Sequence, residues 1–214
     1  MKKILLAVAF LMIAGSTAFS QISIGKGIKG GLNLATVGGA DADKFGTLSS
    51  VTQFNGGIFV NIGLPGPLSI QPEVLYTVKG AKIAGTFLGT PFTSTNTATY
   101  VEIPVLLKFN IPLIPGSPVK PNIFAGPAVG FLLSVKSKTE VPGQPTQESD
   151  DKSTTESMDF GVAVGAGVDI NLVVVTLTVD ARYTMGLKTV DKSASPGPYD
   201  VKNRVISVNV GIGL

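Results

Sequence analysis

The chain has 214 residues, of which 44% are hydrophobic and 14% are charged, a composition that fits one domain with a large apolar surface. It contains no cysteine and no histidine, which excludes disulfide bonds, thiolate nucleophiles, imidazole catalysis and zinc sites built from the usual ligands. The formal net charge of +3 falls to +1 without Lys2 and Lys3, and the basic residues are scattered, so we expect no nucleic-acid binding.

The first twenty residues have the pattern of a secretory signal peptide. A positive start at Lys2 and Lys3 precedes a short apolar core, and small residues follow up to Ser20. An uncleaved anchor helix is the weaker alternative, because the core is shorter than the roughly 20 residues that span a bilayer. We predict a signal peptide at 1–20, cleaved after Ser20, and one domain at 21–214.

Eight stretches of the remaining chain alternate apolar and polar residues with period two, which predicts β-strands. The fourth stretch shows the pattern: one parity carries the apolar Val101, Ile103, Val105, Leu107 and Phe109, and the other carries the polar Glu102, Lys108 and Asn110. The predicted strands are 24–37, 53–64, 69–79, 101–110, 119–135, 159–170, 175–185 and 202–214.

The connections between these strands alternate between long polar loops and tight turns. The long loops are 38–52, 80–97, 136–157 and 188–201, and the turns are 65–67, 112–118 and a short one near Asn171. This asymmetry is typical of outer-membrane barrels, in which both chain ends lie on the periplasmic, short-turn side. The sequence therefore predicts an all-β fold, an eight-stranded antiparallel transmembrane β-barrel with up-and-down meander topology, located in the outer membrane.

A closed ring is required in a membrane because an open sheet edge would leave backbone groups unpaired in hydrocarbon. Alternation alone does not say which face meets lipid, and a soluble lipocalin-like barrel with its apolar face inward remains an alternative. The mean hydropathy of +0.39 and the abundance of glycine on the polar parity favour lipid on the outside. Five aromatic residues near the long-loop ends predict a headgroup girdle; they are Phe54, Tyr76, Phe131, Phe160 and Tyr183.

Charged residues on the polar parity predict a salt-bridge and hydrogen-bond network inside the barrel, since isolated charges there would be costly. Its expected members are Lys29, Glu73, Glu102, Lys108, Asp180 and Arg182. A catalytic carboxylate pair is the alternative, but no nucleophile or electrophile accompanies it. We expect no enzyme activity and no cofactor.

Two motifs resemble ligand sites without the required context. Residues 25–30 spell G-x-G-x-x-G, but they follow the leader and precede no helix, so a dinucleotide site is not expected. Asp41, Asp43 and Gly46 imitate the start of a calcium loop, but Thr52 occupies the position of the closing Glu. We therefore predict no metal site.

Three prolines interrupt the predicted strands at Pro72, Pro104 and Pro127, and each removes one ladder donor. Bulges at these points would allow the ring to close.

Short motifs spread over nearly the whole predicted domain resemble the PorT-like family of outer-membrane β-barrel domains. They are Gln71-Pro72-Glu73 with Tyr76 and Lys79-Gly80, Tyr100-Val101-Glu102-Ile103-Pro104 with Lys108, Ala125-Gly126-Pro127, Gly165-Ala166-Gly167, Asp180-Ala181-Arg182-Tyr183 with Gly186-Leu187, and Asn203-Arg204. The resemblance implies an eight-stranded barrel without known enzymatic activity. The family takes its name from a member linked to protein secretion.

The pattern favours a structural or binding role carried by the outer loops, because function on small barrels resides in loops held by a rigid scaffold. The 136–157 loop, polar and expected to be mobile, is the predicted contact surface for a protein partner, and outer-membrane lipid surrounds the barrel. A narrow pore and an accessory role in secretion are the alternatives.

Overall fold

A computed structural model describes residues 23–42, 46–112, 116–150, 152–192 and 199–214. The predicted signal peptide at 1–20 lies outside the described residues. No helix among the described residues has the length and apolar character needed to cross a membrane.

The described residues form ten β-strands, eight long and two of three residues. They are β1 (Ser23–Gly38), β2 (Thr47–Ser49), β3 (Val51–Gly63), β4 (Leu68–Phe87), β5 (Thr90–Asn110), β6 (Val119–Glu140), β7 (Gln147–Ser149), β8 (Met158–Leu172), β9 (Val175–Gly186) and β10 (Lys202–Gly213).

The eight long strands pair antiparallel with their sequence neighbours, and β1 pairs with β10 to close the ring. The Lys26 amide donates to the Leu214 carbonyl at 3.0 Å, and the Leu214 amide donates back at 2.8 Å. Closure at this seam leaves no free edge at membrane height, as hydrocarbon requires. The predicted eight-stranded antiparallel meander is confirmed.

The apolar parity faces outward and the polar parity fills the interior. Ile24 and Ile28 are 72% and 64% exposed, whereas Asn33 on the opposite parity of β1 is 1% exposed. Phe54 and Tyr76 of the predicted girdle stack on the outer surface with ring centroids 5.9 Å apart. The lipocalin-like alternative, which needs the apolar face inward, is therefore wrong.

The predicted long loop at 80–97 is wrong, because these residues continue β4 and β5 as one hairpin closed by Leu88 and Gly89. Threonine occupies every second position from 93 to 99 and is a good strand former. The apolar alternation is lost because water meets both faces of a sheet above the membrane. The polar composition of 80–97 therefore reflects exposure to solvent, whereas the backbone of this segment is an extended strand.

The predicted loop at 136–157 is also partly strand. Residues 136–140 extend β6, and β7 pairs with this extension through Ser149 and Ser137. On the other side, β2 pairs with β4 at Lys82–Ala84. We call the assembly of β2, 79–87, 90–99, 134–140 and β7 the raised sheet.

The two ends of the barrel differ in build. The short-turn end carries the connections at 64–67, 111–118 and 173–174 together with both termini of the described chain. The opposite end, which we call the raised end, carries the raised sheet and the described residues of two loops, 141–150 with 152–157 and 187–192 with 199–201. The predicted grouping of the remaining long loops at one end is confirmed.

The predicted bulges at the prolines are wrong. The ladders of Pro72 and Pro104 skip pairs without any change of register, because the missing donors leave only a local gap. The register shift among the described strands lies at Thr99/Tyr100, where β5 faces β6. This bulge marks the level at which the barrel wall becomes the raised sheet.

Candidate functional site

Glu73 on β4 is the centre of the polar interior and is 1% exposed. Arg182 on β9 grips it with two hydrogen bonds of 2.9 and 3.1 Å. Lys29 on β1 donates to it at 2.9 Å and Gln71 at 2.7 Å. Such a bidentate, charge-assisted arrangement satisfies a carboxylate that water does not reach. Lys29 also donates to Asp180 at 2.8 Å, which joins β1, β4 and β9 across the barrel.

A second charged cluster lies nearer the raised end. Lys79 on β4 forms ion pairs with Glu102 on β5 and with Asp159 on β8, the latter at 3.1 Å. The Asn203 side chain on β10 donates to Asp159 at 2.8 Å. The cluster thus connects four strands, and its cation is shared between two carboxylates.

A third cluster lies toward the short-turn end. Lys108 on β5 donates to Asp169 on β8 at 2.9 Å and to Gln71 at 3.1 Å. Because Gln71 also donates to Glu73, β4 connects this cluster to the central one.

A layer of uncharged groups lies on the β1 side of the interior. The Asn33 carbonyl accepts from Asn55 at 2.7 Å and from Ser207 at 2.8 Å, while its amide donates to Thr77 and to the Val78 carbonyl at 2.9 Å each. An asparagine with two acceptor and two donor contacts is fully used, which holds its rotamer.

Interior cations lie over aromatic rings at cation–π distance. The pairs are Lys29 over Phe59 at 5.7 Å, Arg182 over Phe124 at 5.3 Å and Lys79 over Tyr100 at 5.2 Å, measured to the ring centroids. These three aromatic residues lie on the polar parity, and the sequence did not lead us to predict aromatic rings inside the barrel.

Wall glycines make room for two of these rings. A Cβ added to Gly27 would lie 2.5 Å from the Phe59 ring, and one added to Gly165 would lie 2.5 Å from the Phe124 ring. The abundance of glycine on the inner face therefore reflects close packing of aromatic side chains in a narrow barrel.

All six residues predicted for the network point into the interior and are buried; they are Lys29, Glu73, Glu102, Lys108, Asp180 and Arg182. Four of them form the central cluster, whereas Glu102 and Lys108 lie in the two flanking clusters. The prediction missed Lys79, which pairs with Glu102, Asp169, which pairs with Lys108, and Asp159, which pairs with Lys79. All three missed residues were visible on the polar parity, close to strand ends. The stabilising role of the network stays a prediction.

At mid-height the interior is packed. The void between Asn33, Glu102 and Arg182 measures about 10 Å³, room for about one water molecule. Larger cavities lie at the two ends, of about 430 Å³ at the short-turn end and about 490 Å³ at the raised end. The packed middle separates the two.

The loops at the raised end are tied together by polar contacts. The Ala40 amide donates to the Asp200 carboxylate at 3.1 Å, and Lys202 forms an ion pair with it at 2.8 Å. The hydrogen bond from Lys202 holds the pKa of Asp200 below its ordinary value, and the Ala40 amide acts in the same direction.

Among the described residues, no group of three or more potential ligands could hold a metal ion. Of the calcium-like motif, Asp43 lies outside the described residues, and Asp41 accepts a hydrogen bond from the Asp200 amide at 2.8 Å.

A closed ring with an apolar outside and a charged, packed inside defines a transmembrane β-barrel. The model of the family described as "Outer membrane protein beta-barrel domain" matches residues 19–192. Because the match covers most of the chain, this protein belongs to that family and is an integral protein of the outer membrane. The predicted location is confirmed, while the narrower PorT-like assignment stays a prediction.

Solved structures of outer-membrane proteins align with this chain at low sequence identity. A major outer membrane protein from Thermus thermophilus is 14% identical, with a TM-score of 0.51 over 89% of this chain and 98% of that chain. OprG from Pseudomonas aeruginosa is 13% identical, with a TM-score of 0.43 over 88% and 94%. Neisserial surface protein A is 15% identical, with a TM-score of 0.44 over 90% and 99%. No curated protein matches the sequence.

Proposed function

We propose that this outer-membrane barrel acts in binding at its raised end, which faces the cell exterior, and that its interior network serves as a structural plug. The packed middle of the barrel carries the proposal. Between the described residues at mid-height, a void of about 10 Å³ has room for about one water molecule and is too small to pass solutes from one end cavity to the other.

The raised end has the features of a binding scaffold. The raised sheet holds the loops at 141–157 and 187–201 on strands that continue from the membrane. Pro142 to Gln147 are exposed, so side chains in the first loop are free to meet a partner. Loops on a rigid scaffold are where binding residues concentrate.

Orientation can be tested directly because the chain contains no cysteine. Gln144→Cys places a thiol in the 141–157 loop, and Val173→Cys places one in a short turn, both at exposed positions. On intact cells a membrane-impermeant maleimide should label the variant at 144 and leave the variant at 173 unlabelled. Labelling of 173 alone would contradict an exterior raised end.

The binding role can be tested by photo-crosslinking in native membranes. A photo-reactive side chain at position 144 is expected to give adducts, and the same group at position 173 serves as the control. Replacement of 141–150 by a short linker should abolish the adducts without impairing folding. If the shortened protein fails to insert, the loop is structural.

Two finer assignments accompany this proposal. The PorT-like motifs, such as Tyr100-Val101-Glu102 and Asp180-Ala181-Arg182, support that subfamily, and with it an accessory role in secretion as a second hypothesis. The pattern of residues 1–20 supports a cleaved signal peptide, which N-terminal sequencing of the membrane-inserted protein should place before Gln21. We propose no catalytic role, because the charged clusters contain no nucleophile paired with a base.

A further inference from the structure

The cavity at the raised end lies between the inner face of the raised sheet and the two facing loops. Its volume of about 490 Å³ falls within the roughly 300–1,000 Å³ of small-molecule sites. Ile83, Ala98 and Val135 contribute to the sheet wall, and Thr155 and Val190 to the loop wall.

The two loops that form the far wall are connected to each other. Thr155 and Asp191 form a β-bridge, the Glu156 amide donates to the Val190 carbonyl at 2.8 Å, and the Lys192 amide donates to the Thr154 carbonyl at 2.8 Å. Because the wall is already tied, a ligand would spend little of its binding free energy on ordering it.

The lining is chiefly apolar and carries little charge. Leu48 and Val201 join the apolar side chains of the walls, and the polar lining residues are mostly neutral. The Asp191 carboxylate in the lining is engaged by the Tyr199 amide at 2.7 Å. An anionic ligand would lose its hydration here and meet the Asp191 carboxylate, and no Lys or Arg of the described lining would compensate.

The floor supplies a polar group that lacks a partner. Tyr100 is 0% exposed, and its hydroxyl has no hydrogen-bond partner in the described part of the chain. The side-chain amide of Asn203, which also lines the cavity, donates to Asp159. Buried hydroxyls are almost always hydrogen-bonded, so a ligand whose polar group reaches the Tyr100 hydroxyl would supply a hydrogen bond there. Below it, Lys79 and its carboxylates close the barrel, which makes the cavity a dead end.

We propose that the raised-end cavity binds a small neutral molecule with an apolar body and one polar group, and that this polar group forms a hydrogen bond at Tyr100. The ligand enters from the exterior and leaves by the same path. This inference rests on the proposed function, in which the raised end faces the cell exterior. It adds a small-molecule site to the binding of a protein partner proposed for the 141–157 loop.

Methyl NMR of the protein in lipid nanodiscs tests the proposal, with 4-ethylphenol as the neutral probe and 4-ethylbenzoate as the anionic probe of similar size. With isotope-labelled isoleucine, Ile83 reports on the cavity, and Ile58 and Ile206 report on the lipid-facing surface. We expect 4-ethylphenol to shift the Ile83 signal to saturation. Probe that only partitions into lipid would shift Ile58 and Ile206 in proportion to its concentration.

A matched pair of variants separates the cavity from the outer wall. Ala98→Phe fills the cavity and should abolish the saturable Ile83 shift, whereas Ala125→Phe adds the same ring to the lipid-facing side and should preserve it. Tyr100→Phe should weaken binding about five- to tenfold, the loss of one hydrogen bond.

The proposal is overturned if the Ile83 signal does not saturate or if Ala98→Phe leaves the shift intact. Equal binding of 4-ethylbenzoate would overturn the neutral class, and an unchanged affinity of Tyr100→Phe would overturn the hydrogen bond. Adducts from position 144 together with a silent Ile83 would leave the loop function standing and remove only the small-molecule site.

Discussion

The interior at membrane height and the raised sheet above it are held together by different kinds of polar side-chain contact. At membrane height the interior contains buried charged clusters, as in the ion pair of Arg182 with Glu73. In the raised sheet above Lys79 the polar contacts are uncharged hydrogen bonds, such as the one of 3.3 Å from Thr139 to Ser94, or ion pairs on the surface, such as Lys138 with Glu140 at 3.0 Å. Buried charges need partners, whereas groups near water do not. From this difference we expect the stability of the barrel to be concentrated in the plug.

The sharpest test of this difference is Arg182→Leu. The substitution leaves buried Glu73 with Lys29 as its remaining cationic partner and Gln71 as a neutral one, and breaking a buried ion pair in this way costs about 3–5 kcal/mol of unfolding free energy. Urea unfolding of the protein in lipid vesicles measures the loss. Arg182→Lys is the matched control, because it keeps the charge and loses only the bidentate fork, so its loss should be smaller. An unchanged heat-induced gel shift of Arg182→Leu would show that the network does not stabilise the barrel.

A smaller effect is expected at the tip of the β4–β5 hairpin. Leu88 has φ of +50° and Gly89 has φ of +81°, a two-residue turn that favours Asn-Gly. Leu88→Asn should stabilise the hairpin by about 1 kcal/mol, because a left-handed backbone is unfavourable for leucine. Slower amide exchange of Thr90 would reveal the gain. Leu88→Ala removes the exposed side chain without easing the backbone and should give no gain; equal gains in both variants would refute the backbone explanation.

A local pH dependence is expected where the loops meet. Because the folded pKa of Asp200 is below its ordinary value, its contribution is fully present above about pH 4 and is lost as the pH falls through the lowered pKa. The amide signal of Ala40, which donates to Asp200, should shift over that range. Asp200→Asn should abolish the shift, and its persistence in that variant would assign the titration to another group.

The smallest effect should follow from shortening the raised hairpin. Replacing 84–93 by Asn-Gly joins Ile83 to Ser94, which already face each other across the two strands. We expect an unchanged urea midpoint in lipid vesicles, because the removed segment lies above the plug and opens independently of it. A lower midpoint would mean that the raised sheet supports the membrane-spanning part, and the contrast drawn here would fail.

The interior site was predictable in its membership and unpredictable in its pairing. The parity of Lys29, Glu73 and Arg182 placed them inside, because side chains alternate strictly across a strand. Which cation meets which carboxylate depends on the stagger of strands far apart in sequence, as for Lys29 on β1 and Asp180 on β9. Local patterns carry no information on that stagger.

By itself the sequence determined the number and order of the membrane strands and six of the inward charges, since these follow from period-two alternation and from the cost of unpaired groups in lipid. The outward face needed the hydropathy and the glycine content as well, because alternation alone fits a barrel of either polarity. Only the tertiary structure decided that 80–97 is strand, because a sheet wetted on both faces loses the alternation that reveals it. The raised-end cavity with Tyr100 on its floor also needed the structure. This cavity forms where β5 and β6 shift register and where two loops that are distant in sequence come together. The sequence of one segment alone does not predict such a contact.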